Sequence, residues 1–244
     1  MENVPSHTYS KKERPMTLIS RTLLLVLAFN LFVAAAQASN ATNPSQKDPN
    51  RHEGFLTDIK KMNGKVDLVF VGDSITDGWR GQAAWKKNFA AFHPLNLGIS
   101  GDQTQHVLWR MQNGELDGYQ AKLFVIMIGT NNGGDSAQDV AEGITAIVNE
   151  IKKKQPQAKF LLLGIFPRGE TPNPARTKND EANKIIAKLD DGKTLKYMDI
   201  GDKFLEKDKT LPKTVMPDAL HPNAKGYEIW ADAIAPTVRG ILGN

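Results

Sequence analysis

Residues 69–78 read Val69-Phe70-Val71-Gly72-Asp73-Ser74-Ile75-Thr76-Asp77-Gly78, an apolar run rich in β-branched residues that stops at a Gly-Asp-Ser tripeptide. This pattern predicts a buried strand that ends in a turn, with Ser74 at its carboxyl end. In open α/β sheets, reacting and binding groups collect at the carboxyl ends of the strands. Ser74 is therefore a candidate nucleophile, and a nucleophilic serine needs partners elsewhere in the chain.

On either side of this strand, apolar runs alternate with segments of helical spacing. The predicted strands are residues 66–71, 94–99, 123–128, 160–166 and 195–200. The predicted helices are residues 79–92, 104–113, 136–154, 177–189 and 227–241, the last with a bend at Pro236. Alternating strands and helices indicate a mostly parallel sheet that is covered on both faces. We therefore predict an α/β fold, a three-layer α/β/α sandwich around a five-stranded parallel sheet.

Composition narrows the classes of function. The chain has 244 residues, a formal charge of +4 and no cysteine. Disulfides, a cysteine nucleophile and cysteine metal sites are thus excluded. The mild charge, without a basic stripe, predicts no nucleic-acid partner. His52, His93, His106 and His221 lack the spacing of metal ligands, so no metal and no organic cofactor is expected.

The N-terminal residues have the order of a secretory signal peptide. Basic residues precede an apolar run at residues 23–36, and Ala36-Gln37-Ala38 is a small-x-small cleavage pattern. The run of about 14 residues is short against the ~20 that a spanning helix needs. We predict a signal peptide over 1–38, a flexible leader over 39–53 and one catalytic domain over 54–244, with Met1 or Met16 as the start. The mature protein is expected to be periplasmic or secreted, without a membrane span.

Asp218 and His221 are candidate partners of Ser74. They lie in Asp218-Ala219-Leu220-His221-Pro222, between the last predicted strand and the last helix. His221 is suited to take the serine proton, and Asp218 to orient the imidazole. An isolated pair with this spacing is also typical of a surface turn, so the residues alone leave both interpretations open.

Two further segments offer donors for an oxyanion. Gly101 follows the second predicted strand and has a backbone N–H, and Asn131 follows the third and has a side-chain amide. Donors aimed at the developing negative charge are needed for acyl transfer. Glycine and asparagine are also common in ordinary turns, which is the alternative interpretation of both.

The four segments together resemble the four sequence blocks of GDSL-type, or SGNH, hydrolases, from about Val66 to the end of the chain. Ile75 replaces the leucine of the usual motif. The resemblance implies a flavodoxin-like sandwich. It also implies Ser74 as nucleophile, His221 as base, Asp218 as its partner, and the N–H of Ser74, Gly101 and Asn131 as the oxyanion hole.

A closer resemblance lies outside these blocks. The following segments are similar to the catalytic α-subunits of intracellular platelet-activating-factor acetylhydrolase: Val107-Leu108-Trp109-Arg110, Asn113-Gly114-Glu115-Leu116, residues 155–159 and residues 167–174. Those subunits remove an acetyl group from a phospholipid and form dimers, so a homodimer is one assembly that the resemblance implies. They are cytosolic, which differs from the export predicted here, and bacterial relatives of this branch include sugar deacetylases.

Three polar residues at the predicted rim are candidates for substrate contact, namely Asp73, Asp102 and Arg168. Arg168 either orders its proline-rich loop or binds an anionic group of the substrate. The sequence lacks the G-x-S-x-G of α/β-hydrolases, the G-x-G-x-x-G of dinucleotide-binding sites and a P-loop.

We expect a serine esterase that removes a short acyl group, with acetylated carbohydrates or small acyl esters as substrates. A phospholipid acetylhydrolase or lysophospholipase is the alternative within this class. A binding protein that retains the fold without catalysis is the alternative of another class.

Overall fold

Five strands form one parallel sheet in the computed structural model, which describes Met1 and residues 39–243. The strands are β1 (Leu68–Gly72), β2 (Pro94–Gly98), β3 (Leu123–Met127), β4 (Lys159–Leu163) and β5 (Leu195–Met198). Their order is β2-β1-β3-β4-β5, and all neighbouring strands are parallel. This is the flavodoxin-like order, so the predicted fold class is confirmed.

The strands alternate with helices as the sequence predicted, although several ends differ. The helices are α1 (Pro49–Met62), α2 (Ser74–Asp77), α3 (Ala83–Phe89), α4 (Thr104–Gln112), α5 (Ala137–Lys154), α6 (Pro174–Ile186) and α7 (Ala224–Leu242). The helix predicted at 79–92 begins only at Ala83, because residues 79–82 form successive turns. In these turns the N–H of Trp79 donates to the Thr76 carbonyl, and the N–H of Gln82 donates to the Trp79 carbonyl. Helices α1 and α2 were not predicted.

Alternate residues of β1 enter two separate cores. Val69 and Val71 of β1 pack with α1, α4, α5 and α6 on one face of the sheet. Leu68 and Phe70 pack with α3 and α7 on the other face, where Trp79 and Trp230 are fully buried. All five residues of β1 are buried, as expected for a central parallel strand that helices cover on both sides.

The segment from Ser39 to Glu53, called the N-terminal arm below, is packed on the domain at the place where the sequence predicts a flexible leader. Ala41 is completely buried, and its carbonyl accepts a hydrogen bond of 2.9 Å from the Thr104 hydroxyl. Farther along, Asp48 accepts from the N–H of Arg51 and caps α1. The arm is ordered because its small side chain and its backbone polar groups find buried partners.

A buried ionic network joins the arm to the sheet. The Arg110 guanidinium binds Asp102 Oδ2 at 2.8 and 3.1 Å, donates to the Leu97 carbonyl at 3.0 Å and contacts Glu115. His52 of the arm reaches the other Glu115 oxygen at 2.9 Å. Burial raises the pKa of Asp102, and the Arg110 charge opposes that shift. Since these groups are nearly inaccessible to water, each depends on its partners.

Within the part of the chain that the structure describes, no helix is long and apolar enough to cross a membrane. The predicted signal peptide lies outside the described residues.

Replacement of Arg110 by methionine should destabilise the protein by about 3–5 kcal/mol, because two buried carboxylates lose their common cation. Urea unfolding of Arg110→Met and wild type measures the difference. Lys213→Met is the control, since Lys213 pairs with Glu170 at 3.7 Å on the exposed surface and such pairs contribute at most about 1 kcal/mol. An equal, small loss in both variants would contradict this role of Arg110.

Candidate active site

Ser74 is the first residue of α2, two positions after the end of β1. Asp73 caps this short helix, its Oδ1 accepting the Ile75 N–H at 3.0 Å. The carbonyl of the same residue is held by α7, whose Tyr227 hydroxyl donates to Ile75 O at 2.7 Å. The nucleophile candidate is therefore fixed by contacts on both sides, and it stands at the carboxyl edge of the central strand.

His221 and Asp218 meet Ser74 in one continuous chain of hydrogen bonds. The His221 Nε2 lies 2.9 Å from the Ser74 hydroxyl, and its Nδ1 lies 2.6 Å from Asp218 Oδ2. These are the contacts that an activated serine requires. The sequence thus identified three residues that the structure brings together, although they are separated by up to 147 positions.

The loop that holds Asp218 and His221 is a tight turn. Asp218 Oδ1 accepts the backbone N–H of Leu220 at 3.1 Å and of His221 at 2.7 Å, and Ala219 has a positive φ of 58°. Burial raises the pKa of Asp218, but the hydrogen bonds from His221 and Leu220 outweigh it and bring the pKa below its usual value. Asp218 is consequently ionised at neutral pH and able to stabilise a protonated imidazole.

The two predicted oxyanion segments are bound to each other. The Asn131 side-chain amide donates to the Asp102 carbonyl at 3.0 Å, one residue beyond Gly101. The Gln103 side-chain amide donates a hydrogen bond of 2.8 Å to the Asn131 carbonyl. Gly101 has a φ of +76°, a conformation that favours glycine. Because β2 and β3 flank β1, Gly101 and Asn131 follow the two strands next to that of Ser74.

Asp73 and Asp102, two of the three residues predicted to contact the substrate, are both buried. Asp73 is 0% exposed and Asp102 is 1% exposed. Asp73 is used as a helix cap, and Asp102 is held by Arg110. Arg168 donates to the Thr130 carbonyl at 2.6 Å, so it orders the segment that contains Asn131. Of the two alternatives considered for Arg168, this contact supports the structural one.

Lys178 and Lys47 also hold these loops, and sequence reasoning did not identify them. Lys178 donates to the carbonyls of Gly133 at 3.3 Å and Asp135 at 3.2 Å. Lys47 contacts the loop of Gly101. An isolated lysine in a polar segment carries no sequence signal for such a role, since most lysines are solvated.

Asp73 is unusual among the carboxyl groups of the site. Its Oδ2 has no hydrogen-bond partner among the described residues. Complete burial raises the pKa of Asp73 to about 7, although the Ile75 N–H bond lowers it. A carboxyl beside Ser74 thus changes its charge near neutral pH.

The fold and the site geometry define a carboxylic ester hydrolase. The chain belongs to the GDSL-like lipase/acylhydrolase family, whose model matches residues 70–229. It is 41% identical over 178 residues to platelet-activating factor acetylhydrolase IB subunit alpha2 of Rattus norvegicus, covering 72% of this chain and 77% of that protein. The predicted family and its platelet-activating-factor acetylhydrolase-like branch are therefore confirmed.

Solved structures with the same fold have lower identity. One of them, named as a platelet activating factor from Streptococcus pneumonia, has a TM-score of 0.63 at 18% identity. The match covers 90% of this chain and 99% of that chain. An acetylxylan esterase from Geobacillus stearothermophilus has a TM-score of 0.57 at 21% identity, and the match covers 75% of this chain and 97% of that chain. At these identities the likeness shows the fold.

Asp73→Asn should remove a pH dependence of stability. The folded pKa of Asp73 is raised, so the wild type loses stability as pH rises from about 4 to 7, with a slope approaching about 1.4 kcal/mol per pH unit from this group. Asparagine keeps the cap but cannot ionise. Urea unfolding at several pH values should show that the free energy of unfolding of the variant, relative to that of wild type, rises up to about pH 7. Above that pH the difference should stay constant.

The exposed Asp58, which pairs with Lys61 at 3.3 Å, supplies the control Asp58→Asn. A constant difference between Asp73→Asn and wild type from pH 4 to 8 would show that Asp73 ionises normally.

Proposed function

We propose that this protein is a serine esterase that hydrolyses short-chain esters, acetyl esters above all, through an acyl-enzyme. The observation that carries the proposal is the hydrogen-bonded chain from the Ser74 hydroxyl through His221 to Asp218. A nucleophile, a base and an orienting carboxylate in contact are the working parts of such a mechanism.

In the first half of the proposed reaction, the Ser74 oxygen attacks the ester carbonyl carbon while His221 Nε2 takes the hydroxyl proton. The carbonyl oxygen becomes negative in the tetrahedral intermediate. As the carbon–oxygen bond to the alcohol breaks, His221 gives its proton to the departing oxygen. Asp218 keeps Nδ1 protonated and stabilises the imidazolium throughout.

In the second half, water replaces the alcohol. His221 takes a proton from water, whose oxygen attacks the acyl carbon, and returns it to Ser74 as the carboxylic acid leaves. The N–H groups of Ser74 and Gly101 and the Asn131 amide are the proposed oxyanion donors. Asn131 uses one amide proton on the Asp102 carbonyl, which leaves the second for the substrate.

The proposed acyl group is acetyl because it is common to both kinds of relative. The 41% identical rat protein is an acetylhydrolase by name, and the structurally similar Geobacillus protein is an acetylxylan esterase. The alcohol differs between these two. We favour an acetylated carbohydrate or a small acyl ester, and a phospholipid remains the alternative.

Ser74→Ala should lower kcat for p-nitrophenyl acetate by at least about 10⁴-fold, since the nucleophile is lost. Asp218→Asn should lower kcat by about 10³- to 10⁴-fold with little change in KM, because the imidazole is no longer oriented. Asp58→Asn, an exposed aspartate remote from the triad in sequence, serves as the matched control. Equal rates in wild type and folded Ser74→Ala would exclude the mechanism. Rates in both that do not exceed the uncatalysed reaction would favour a binding protein.

The same assay can resolve the acyl and alcohol groups. Wild type should hydrolyse p-nitrophenyl acetate with a higher kcat/KM than the butyrate or octanoate. Acetylated xylo-oligosaccharide and a phospholipid with a short acetyl ester are then compared under equal conditions. Higher kcat/KM for the phospholipid would replace the carbohydrate proposal with the lipid alternative.

Export also remains a proposal, supported by the order of basic, apolar and small residues before position 39. Cleavage after Ala38 would leave Ser39, whose hydroxyl accepts the Ala41 N–H at 3.1 Å, and the rest of the arm intact. We expect N-terminal sequencing of the exported protein to begin at Ser39. A first residue well beyond position 48 would contradict this proposal, because the buried contacts of the arm would be lost.

A further inference from the structure

The N-terminal arm reaches the proposed oxyanion hole through Lys47. The Lys47 ammonium donates to the Ser100 carbonyl and lies 3.5 Å from Asp102 Oδ1. It also lies 3.3 Å from the position that a Cβ on Gly101 would occupy. The ammonium therefore contacts the residues on both sides of Gly101 and lies beside Gly101 itself.

The Ser100 carbonyl and the Gly101 N–H belong to the same peptide group. In a trans peptide these two bonds point in opposite directions across a rigid plane. A cation that holds the carbonyl therefore sets the direction of the N–H. It also polarises the peptide, and hydrogen bonds in such a chain strengthen one another.

Lys47 is itself held in place by the surrounding charges. Its side chain is only 33% exposed, and Asp102 beside it is buried and bound to Arg110. The next turn of the arm is anchored as well, since Arg51 contacts Asp77 at 2.8 Å and His52 contacts Glu115. Asp77 is the last residue of α2, which Ser74 begins. The arm thus connects the nucleophile helix with the Gly101 loop.

We propose that Lys47 is a positioning residue that orients and polarises the Ser100–Gly101 peptide, so that the Gly101 N–H is a better donor to the oxyanion. This inference rests on the proposed function, because it assigns the Gly101 N–H to that oxyanion. Lys47 lies outside residues 70–229, the part of the chain that the family model matches.

Lys47→Met tests the proposal because methionine keeps much of the length and removes the charge. Loss of a direct oxyanion donor typically lowers kcat by 10²- to 10³-fold. Since Lys47 acts through the peptide, we expect a smaller loss, about tenfold in both kcat and kcat/KM for p-nitrophenyl acetate, with KM unchanged. An equal loss in both parameters identifies an interaction made in the transition state.

Lys47→Arg should recover activity to within about threefold of wild type, because it restores a cation. Lys61→Met is the matched control, since Lys61 is an exposed lysine of α1 that pairs only with Asp58 among the described residues. A boronic acid, whose adduct with a serine is a tetrahedral anion, gives a second measurement. Its Ki should rise about tenfold in Lys47→Met and stay unchanged in Lys61→Met.

Thermal melting of every variant separates positioning from folding. If Lys47→Met does not fold, Lys47→Gln takes its place as the neutral variant. Wild-type kcat and Ki in a folded neutral variant would overturn the proposal, as would a loss that appears in KM alone. Ser74→Ala is measured alongside to distinguish failure of the Lys47 proposal from failure of the proposed function. Its inactivity supports the esterase mechanism even when Lys47 has no effect.

Discussion

The direct contact between the end of β2 and helix α2 is the constraint on which the site depends. A Cβ added to Gly98 would lie 2.2 Å from the Asp77 nitrogen, so no side chain fits there. Helix α2 therefore lies against the backbone of the neighbouring strand, which fixes the distance between Ser74 and the loop that follows β2. Larger residues at Gly98 would displace the helix, because a packed interior has no room to absorb them.

The strand order turns this local contact into a complete site. Ser74, Gly101 and Asn131 follow β1, β2 and β3, which are neighbours in the sheet, although β1 and β3 are separated in sequence by β2 and three helices. His221 arrives by a different route. Its loop precedes α7, and Tyr227 of α7 is bonded to the carbonyl of Ile75 in the nucleophile helix. The catalytic geometry is thus a property of the sheet and of one helix rather than of any single loop.

The sequence predicted the features that follow from repeating apolar patterns, and those that require particular residue types. Continuous apolar runs identified all five strands, and four short blocks identified Ser74, Gly101, Asn131, Asp218 and His221. It gave no indication of the burial of two polar residues. Asp73 and Asp102 were expected at an exposed rim, whereas in the fold Asp73 caps α2 and Asp102 binds Arg110.

The N-terminal arm was missed for a different reason, since its sequence is short and polar and lies beside a targeting pattern. One signal was present, because Asp48 followed by Pro49 is a typical helix start. What the sequence could not provide is the reason for the helix, namely the buried contacts of Ala41 and His52 with partners more than 60 positions away.

The charges around Ser74 are arranged in a way that limits the cost of the negative intermediate in the proposed mechanism. Asp73 and Asp102 are both close to the proposed oxyanion hole, and two full negative charges there would oppose the reaction. Burial keeps Asp73 partly protonated near neutral pH, and Arg110 balances Asp102. Lys47 then adds a positive charge on the side of Gly101. Since electrostatic interactions are stronger in a partly dry site, this balance matters more than the same charges would on the surface.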